Sequence, residues 1–223
     1  MGADVPKVFL RLSGASDSPS IIQASVDVFA RDSRCDRVVV CAHPEWRSRF
    51  ESELEGHSKV LIANGGKTRQ ESVQLGVEAL YQVVGAANAA ATCVLVHDAA
   101  RCCLSSEVIG RVVEGVSDHG AVTAAVPVPD TLSKVKDNVV SSFVDREGIW
   151  AIQTPQGFWL EELRSAHYAA KVDGFIALDD ASVVARLREV RVVEGDRLNI
   201  KVTHPADLEV VARISSKGDV YGS

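Results

Sequence analysis

Short, wholly apolar runs alternate along this chain with segments whose apolar residues recur every three or four positions. Val38-Val39-Val40 is too short for a helix and has no polar side, which is the pattern of a strand covered on both faces. Ahead of it, Ile22, Val26 and Phe29 recur at helical spacing after Ser18-Pro19, a cap followed by proline in the first turn. Val60 to Ala63 is a second strand and runs into Asn64-Gly65-Gly66. Thr68 and Glu71 then form a capping-box pattern, and Val73, Val77, Leu80 and Val84 supply the apolar stripe of the next helix. Cys93 to Val96 and Ala121 to Val128 read as strands, with a helix marked by Val108, Val112 and Val116 between them. Leu160 to Ala170 and Asp179 to Leu187 read as helices, Val190 to Val193 as a strand, and a last helix opens near Thr203-His204-Pro205. Strand and helix in alternation predict an α/β fold: a mostly parallel, twisted sheet with helices on both faces.

One region breaks this rhythm. Leu132 to Val135 and Val139 to Val144 flank the polar Lys136-Asp137-Asn138, so residues 131–150 are predicted to form a β-hairpin that projects as an arm and seeks a partner. No linker, repeat or low-complexity tract divides the chain, and 223 residues with 46% apolar content suit one domain around one core. A formal charge of -6 gives no electrostatic reason to expect nucleic acid or an anionic membrane. No apolar run reaches spanning length. The five cysteines are odd in number and lack paired metal spacing, which reads as reduced thiols in a cytoplasmic protein.

Ligands of open α/β sheets bind at the carboxyl ends of the strands. Three polar segments fall there: Gly65-Gly66-Lys67-Thr68-Arg69, His97-Asp98-Ala99-Ala100-Arg101 and Pro129-Asp130-Thr131. Each alone is an ordinary turn or cap; three at one edge point to a site. Gly65-Gly66 allows close approach of backbone and unhindered N–H donors, and the helix start at Thr68 favours an anion or an acceptor group of a base. Asp98 could hold a substrate hydroxyl, help to place a divalent cation, cap its own turn or pair with Arg101. Thr154-Pro155-Gln156 reads as a shaped loop. Lys7 and Lys201 stand at opposite ends of the chain, and two lysines converging on a triphosphate would stabilise the charge that builds in nucleotidyl transfer.

Pro6-Lys7, Thr68-Arg69-Gln70-Glu71-Ser72, His97-Asp98-Ala99-Ala100-Arg101, Asp130-Thr131, Thr154-Pro155-Gln156 and Asn199-Ile200-Lys201, in this order, resemble the 2-C-methyl-D-erythritol 4-phosphate cytidylyltransferase family. The resemblance implies a Rossmann-like nucleotidyltransferase that takes CTP and a sugar-alcohol phosphate, with Mg2+ assisting, and releases pyrophosphate. It casts Lys7, Arg146 and Lys201 as catalytic cations. Gly66, Lys67, Ser72 and Ala99 become the cytidine pocket, and Asp98, Thr131, Arg146, Thr154 and Lys201 the holders of methylerythritol phosphate. No residue is assigned as a metal ligand. It also makes the hairpin a dimerisation arm that carries Thr131 and Arg146 into the partner's site of a homodimer.

Cys102, Ser133, Leu178 and Val8 stand where the family has other residues, and at Leu178 a threonine contact to the substrate is missing. The family's opening strand and Ala-Ala-Gly-x-Gly-x-Arg loop would precede Pro6-Lys7, so the expectation is a translation start upstream of Met1. The alternatives are a ribitol-5-phosphate cytidylyltransferase, against which Asp98-Ala99-Ala100-Arg101 and Asp179-Asp180-Ala181-Ser182 lean, and an impaired dimeric remnant without the phosphate loop.

Overall fold

Helix starts in this protein follow local hydrogen-bond chemistry. The computed structural model describes residues 5–13 and 17–216; Met1 to Asp4, just ahead of Pro6-Lys7, lie outside them. Helix α1 (Ile21–Arg31) is capped by Ser20 and not by Ser18. The Ser20 side chain accepts from the Gln23 N–H while Gln23 Oε1 accepts from the Ser20 N–H, so two orphan donors are satisfied at once. Strand β1 (Val38–Ala42) follows, then α2 (Arg47–Glu53), whose single apolar residue Phe50 left no periodic pattern to read. Strand β2 (Val60–Asn64) lies parallel to β1 and leads to α3 (Arg69–Val84) and the short α4 (Ala86–Ala89).

Strand β3 (Cys93–Val96), helix α5 (Ser106–His119) and strand β4 (Ala121–Pro127) come next, the two strands close to their predicted bounds. Strands β5 (Leu132–Lys136) and β6 (Val139–Val144) pair antiparallel across Asp137 and Asn138, both at positive φ, as a tight two-residue hairpin turn requires. The predicted arm, 131–150, ends slightly earlier. Trp150 already belongs to β7 (Trp150–Trp159), where it pairs with Pro127. Helix α6 (Leu160–Val172), α7 (Asp180–Val184), β8 (Arg191–Glu194) and α8 (Pro205–Ser216) complete the order.

The main sheet runs β3-β7-β4-β8. Strand β7 is antiparallel to both neighbours, while β4 and β8 are parallel, so every strand of this sheet except β7 shares one direction. This corrects the reading of Thr154-Pro155-Gln156 as a loop: it is the middle of an inner strand. Pro155 is tolerated there because the β4–β7 register shifts between Thr123 and Ala125, and no ladder donor is needed at the irregularity. Strands β1 and β2 form a separate two-stranded sheet. The four residues of β3 and most of β1 are only half-buried, so these runs are not covered all round as their apolar character predicts. Each pairs along one edge only among the described strands.

Alternate residues of β4 feed opposite layers. Ala121 packs with Phe158, Leu160, Leu163 and Val183 under α3, α6 and α7, whereas Val122 and Ala124 pack with Val108, Val112 and Val116 of α5. Each of the three α5 valines is fully buried, worth about 1.5–3 kcal/mol apiece relative to exposure. Helix α5 sits so close to β7 that a Cβ on Gly157 would lie 2.6 Å from both Val112 Cγ1 and Val116 Cγ2. Among the described residues no helix is long and apolar enough to cross a membrane.

Candidate active site at the sheet edge

The turn after β3 is built by one chain of hydrogen bonds. His97 Nε2 lies 3.0 Å from the Arg101 carbonyl, an acceptor only, so Nε2 carries the proton and donates. Its Nδ1 then accepts from the Thr154 hydroxyl at 3.0 Å, and that oxygen accepts from the Asp98 N–H at 3.0 Å. Burial, the largest influence on His97, pushes its pKa down to about 4, so the ring is neutral near pH 7 and this tautomer persists. Thr154 is buried and uses its hydroxyl to fix the Asp98 backbone.

Asp98 is the hub of the site. One oxygen accepts from Lys201 Nζ at 2.6 Å and the other from Arg69 Nε at 2.9 Å. Burial alone would raise the Asp98 carboxyl, but the Lys201 hydrogen bond and the Arg69 charge outweigh it and hold the pKa at about 2. Lys7 reaches the same place from the other end of the chain: its Nζ donates to the Val202 carbonyl at 2.7 Å, and the Val202 N–H donates to the Ala100 carbonyl. Lys201 therefore contacts the 98–101 turn directly, and Lys7 contacts the Val202 carbonyl, whose residue bonds to that turn.

Arg101 donates through a terminal nitrogen to the Asn199 carbonyl at 2.7 Å. Its Nε is buried without a hydrogen-bond partner, and burial lowers its pKa. Asn199 is fully buried and donates to the Thr154 carbonyl at 2.8 Å, tying the Asn199-Ile200-Lys201 segment to β7. Gln156 is equally buried. It donates to Asp179 Oδ2 and to the Thr123 hydroxyl while accepting from the Ala181 N–H, so β7 fixes the start of α7.

The glycine loop differs from expectation. Its N–H groups are engaged internally: Gly65 on the Ala42 carbonyl at 2.7 Å, Gly66 on the Ser72 hydroxyl at 3.0 Å, and Lys67 on Glu71 Oε2 at 2.7 Å. Glu71 thus serves Lys67 and not the Thr68 N–H that a full capping box would use, although Thr68 does accept from the Glu71 N–H. A Cβ on Gly66 would overlap the Glu71 side chain, so the absence of one is what lets Glu71 lie across the loop. Ser72 also donates to the Thr68 carbonyl at 2.8 Å, and Ala99 is half-buried beside the Phe9–Ile22 cluster.

Thr131 and Arg146 stand on the exposed arm, away from the Asp98 cluster; Arg146 donates to the Pro129 carbonyl at the arm's base. The arm and its root expose Val135, Val139, Val140, Phe143, Trp150 and Ile152. Asp98 is engaged on both oxygens by cations, and no group of three His, Cys, Asp or Glu side chains able to hold a metal occurs among the described residues.

Arg69, Arg101, Asn199 and Gln156 join the site without having been assigned to it. Arg69 did carry a signal: it is a cation in the first turn of α3, where the helix dipole disfavours positive charge, so something else holds it there.

The sequence matches the model of the 2-C-methyl-D-erythritol 4-phosphate cytidylyltransferase (IspD) family over residues 1–216. It is 39% identical over 212 residues to the 2-C-methyl-D-erythritol 4-phosphate cytidylyltransferase of Geobacillus kaustophilus (strain HTA426), covering 93% of this chain and 88% of the relative. The fold is similar to the crystal structure of a 4-diphosphocytidyl-2C-methyl-D-erythritol synthase, with a TM-score of 0.83 and 33% identity over 94% of this chain and 95% of that one. It is also similar to the 2-C-methyl-D-erythritol 4-phosphate cytidylyltransferase of Thermus thermophilus, with a TM-score of 0.77 and 32% identity over 95% and 94% of the two chains.

Proposed function

The chain belongs to the 2-C-methyl-D-erythritol 4-phosphate cytidylyltransferase family, and on that premise we propose that it transfers the cytidylyl group of CTP to 2-C-methyl-D-erythritol 4-phosphate, a step of the non-mevalonate route to isoprenoid precursors. A phosphate oxygen of the alcohol phosphate attacks the α-phosphorus of CTP in line. A new phosphoanhydride bond forms, the α–β bond breaks, and pyrophosphate leaves. No covalent enzyme intermediate is needed, so the protein contributes position and charge.

The observation that carries this reading is the pairing of one ionised Asp98, at the carboxyl end of β3, with Arg69 and Lys201, while Arg101 and Lys7 bond to the neighbouring Asn199 and Val202 carbonyls. Asp98 accepts a hydroxyl of the alcohol, as a carboxylate held near a pKa of about 2 stays an acceptor at working pH. Lys201 and Arg101 face its phosphate. Lys7 serves the triphosphate. Gly66, Lys67, Ser72 and Ala99 border the space for cytidine, and the loop N–H groups would exchange internal partners for the base. Thr154 orients Asp98 through its backbone.

Mg2+ would neutralise charge on the phosphates. The described residues do not fit a protein-built cage for it, because the Asp98 oxygens are both taken by cations. The nucleotide's own oxygens would bring the ion.

The apolar surface around Phe143 supports a homodimer in which the arm packs on a second copy and presents Thr131 and Arg146 to its site. The five cysteines are free thiols, which suits the cytoplasm, where we place the protein.

Pyrophosphate release, measured with CTP, Mg2+ and either 2-C-methyl-D-erythritol 4-phosphate or ribitol 5-phosphate, tests the reading. Turnover should require the methylerythritol compound. Preference for ribitol 5-phosphate would move the chain to a different cytidylyltransferase, and no turnover with either would make it an impaired remnant.

A further inference from the structure

His167 on α6 and Asp180 at the start of α7 have no place in the chemistry above, yet both side chains are only 1% exposed and lie beside the apolar cluster of Leu160, Leu163, Ala181 and Val183. An ionisable pair at that depth forgoes hydration and is tolerated only when fully bonded. Asp180 Oδ1 lies 3.0 Å from His167 Nε2, and Asp180 Oδ2 accepts from an Arg69 terminal nitrogen at 2.8 Å. The Arg69 Nε then donates to Asp98 Oδ1 at 2.9 Å, and Asp98 Oδ2 meets Lys201 Nζ at 2.6 Å. An unbroken line of polar contacts thus runs from the core to the edge of the sheet.

Arg69 is the joint in this line. A guanidinium is a rigid planar fork, so fixing one nitrogen on a buried carboxylate fixes the direction in which Nε points. Asp98 has other constraints through its backbone, but its carboxylate plane is set by Arg69 and Lys201 alone among the hydrogen bonds of the described residues. Lys201 is far more open to solvent than Asp180. The anchored end is therefore the Asp180 end.

We propose that Asp180, held by His167, is a positioning residue that acts through Arg69 to orient the Asp98 carboxylate toward the acceptor alcohol. This rests on the functional reading above, in which Asp98 touches the alcohol phosphate.

Asp180→Asn keeps shape and removes the charge. It should lower kcat/KM for methylerythritol phosphate by about 10- to 100-fold, the scale of a misplaced orienting group, with the loss mainly in KM and with KM for CTP little changed. In an Asp98→Asn background the same substitution should have no further effect, because the two residues act as one unit. Equal losses in both backgrounds, equal losses for both substrates, or no loss would overturn the proposal. A readout independent of turnover is the Arg69 Nε–H proton in 15N NMR spectra. It should exchange slowly in the parent and faster in Asp180→Asn; unchanged protection would also overturn the proposal. Should the parent show no transfer at all, the functional reading fails while the NMR experiment still decides the positioning claim. Should Asp180→Asn fail to fold, His167→Gln takes its place and should shift both readouts in the same direction by less.

Discussion

Replacing Lys201 with glutamine separates what this residue does for the fold from what it does for the reaction. Lys201 Nζ sits 2.6 Å from Asp98 Oδ2, with the lysine side chain 41% and the aspartate side chain 17% exposed. A pair this open to solvent contributes about 1 kcal/mol or less to stability, and Arg69 still holds the other Asp98 oxygen in the variant. The urea midpoint should therefore move by less than about 0.5 M at an m-value of ~2–3 kcal/mol/M. The acid limb should move too. The depressed Asp98 pKa contributes stability that is present above the ordinary value of 3.8 and lost as pH falls through about 2. Without Lys201 the folded pKa moves back toward 3.8, so less stability is there to lose and its loss is complete at a higher pH. Turnover should suffer far more, because removing one preorganised group that faces developing phosphate charge costs about 10²- to 10³-fold, or ~2.7–4 kcal/mol. Pyrophosphate release and urea unfolding, run on the same preparation, measure both quantities. Losing about 1 kcal/mol from a stability of about 5–15 kcal/mol leaves the chain folded, so if kcat/KM falls by less than about fivefold, Lys201 is a surface ion-pair partner and its assignment to the acceptor phosphate is wrong.

His97 gives a pH test. Its folded pKa is held down to about 4 against an ordinary 6.5, so below pH 6.5 the unfolded chain takes up a proton that the folded one refuses. Stability should fall as pH drops from 6.5 toward 4, by at most about 1.4 kcal/mol per pH unit, and His97→Asn should flatten that slope in urea titrations; an unchanged slope would assign it to other groups. Gly157→Ala should cost about 1–3 kcal/mol by overpacking against Val112 and Val116, read as a lower thermal midpoint, and an unaltered midpoint would contradict the close α5–β7 approach. Phe143, 75% exposed on the arm, should be central to self-association: the parent should sediment as a dimer and Phe143→Lys as a monomer, with a parent monomer refuting the arm's role.

The helices and strands whose burial is regular were legible in the residues. Val108, Val112 and Val116 all reach full burial on one face of α5, and the hairpin turn at Asp137-Asn138 adopts the positive φ its composition favours. Strand β7 was not legible. Its inner part carries Thr154, Pro155 and Gln156, which read as a shaped loop, because the strand exchanges apolar alternation for buried hydrogen bonds to Asp179, Ala181 and Asn199. The site divides in the same way. Asp98, Lys7 and Lys201 could be singled out because charge at strand and chain ends stands out against apolar neighbours. Arg69, Asp180 and His167 could not be connected, since 111 positions separate Arg69 from Asp180 and only the fold brings them within 2.8 Å.

The account turns on Asp98 as the acceptor of the incoming alcohol, and 31P NMR of the full chain with CTP, Mg2+ and 2-C-methyl-D-erythritol 4-phosphate tests it most directly. The parent should convert the CTP and monoester signals into those of pyrophosphate and a new diphosphate diester. Asp98→Asn should convert them about 100-fold or more slowly, with a residual rate still measurable at long times, while CTP still binds in calorimetry. Conversion by Asp98→Asn at the parent's rate would contradict the assignment of this cluster as the acceptor site.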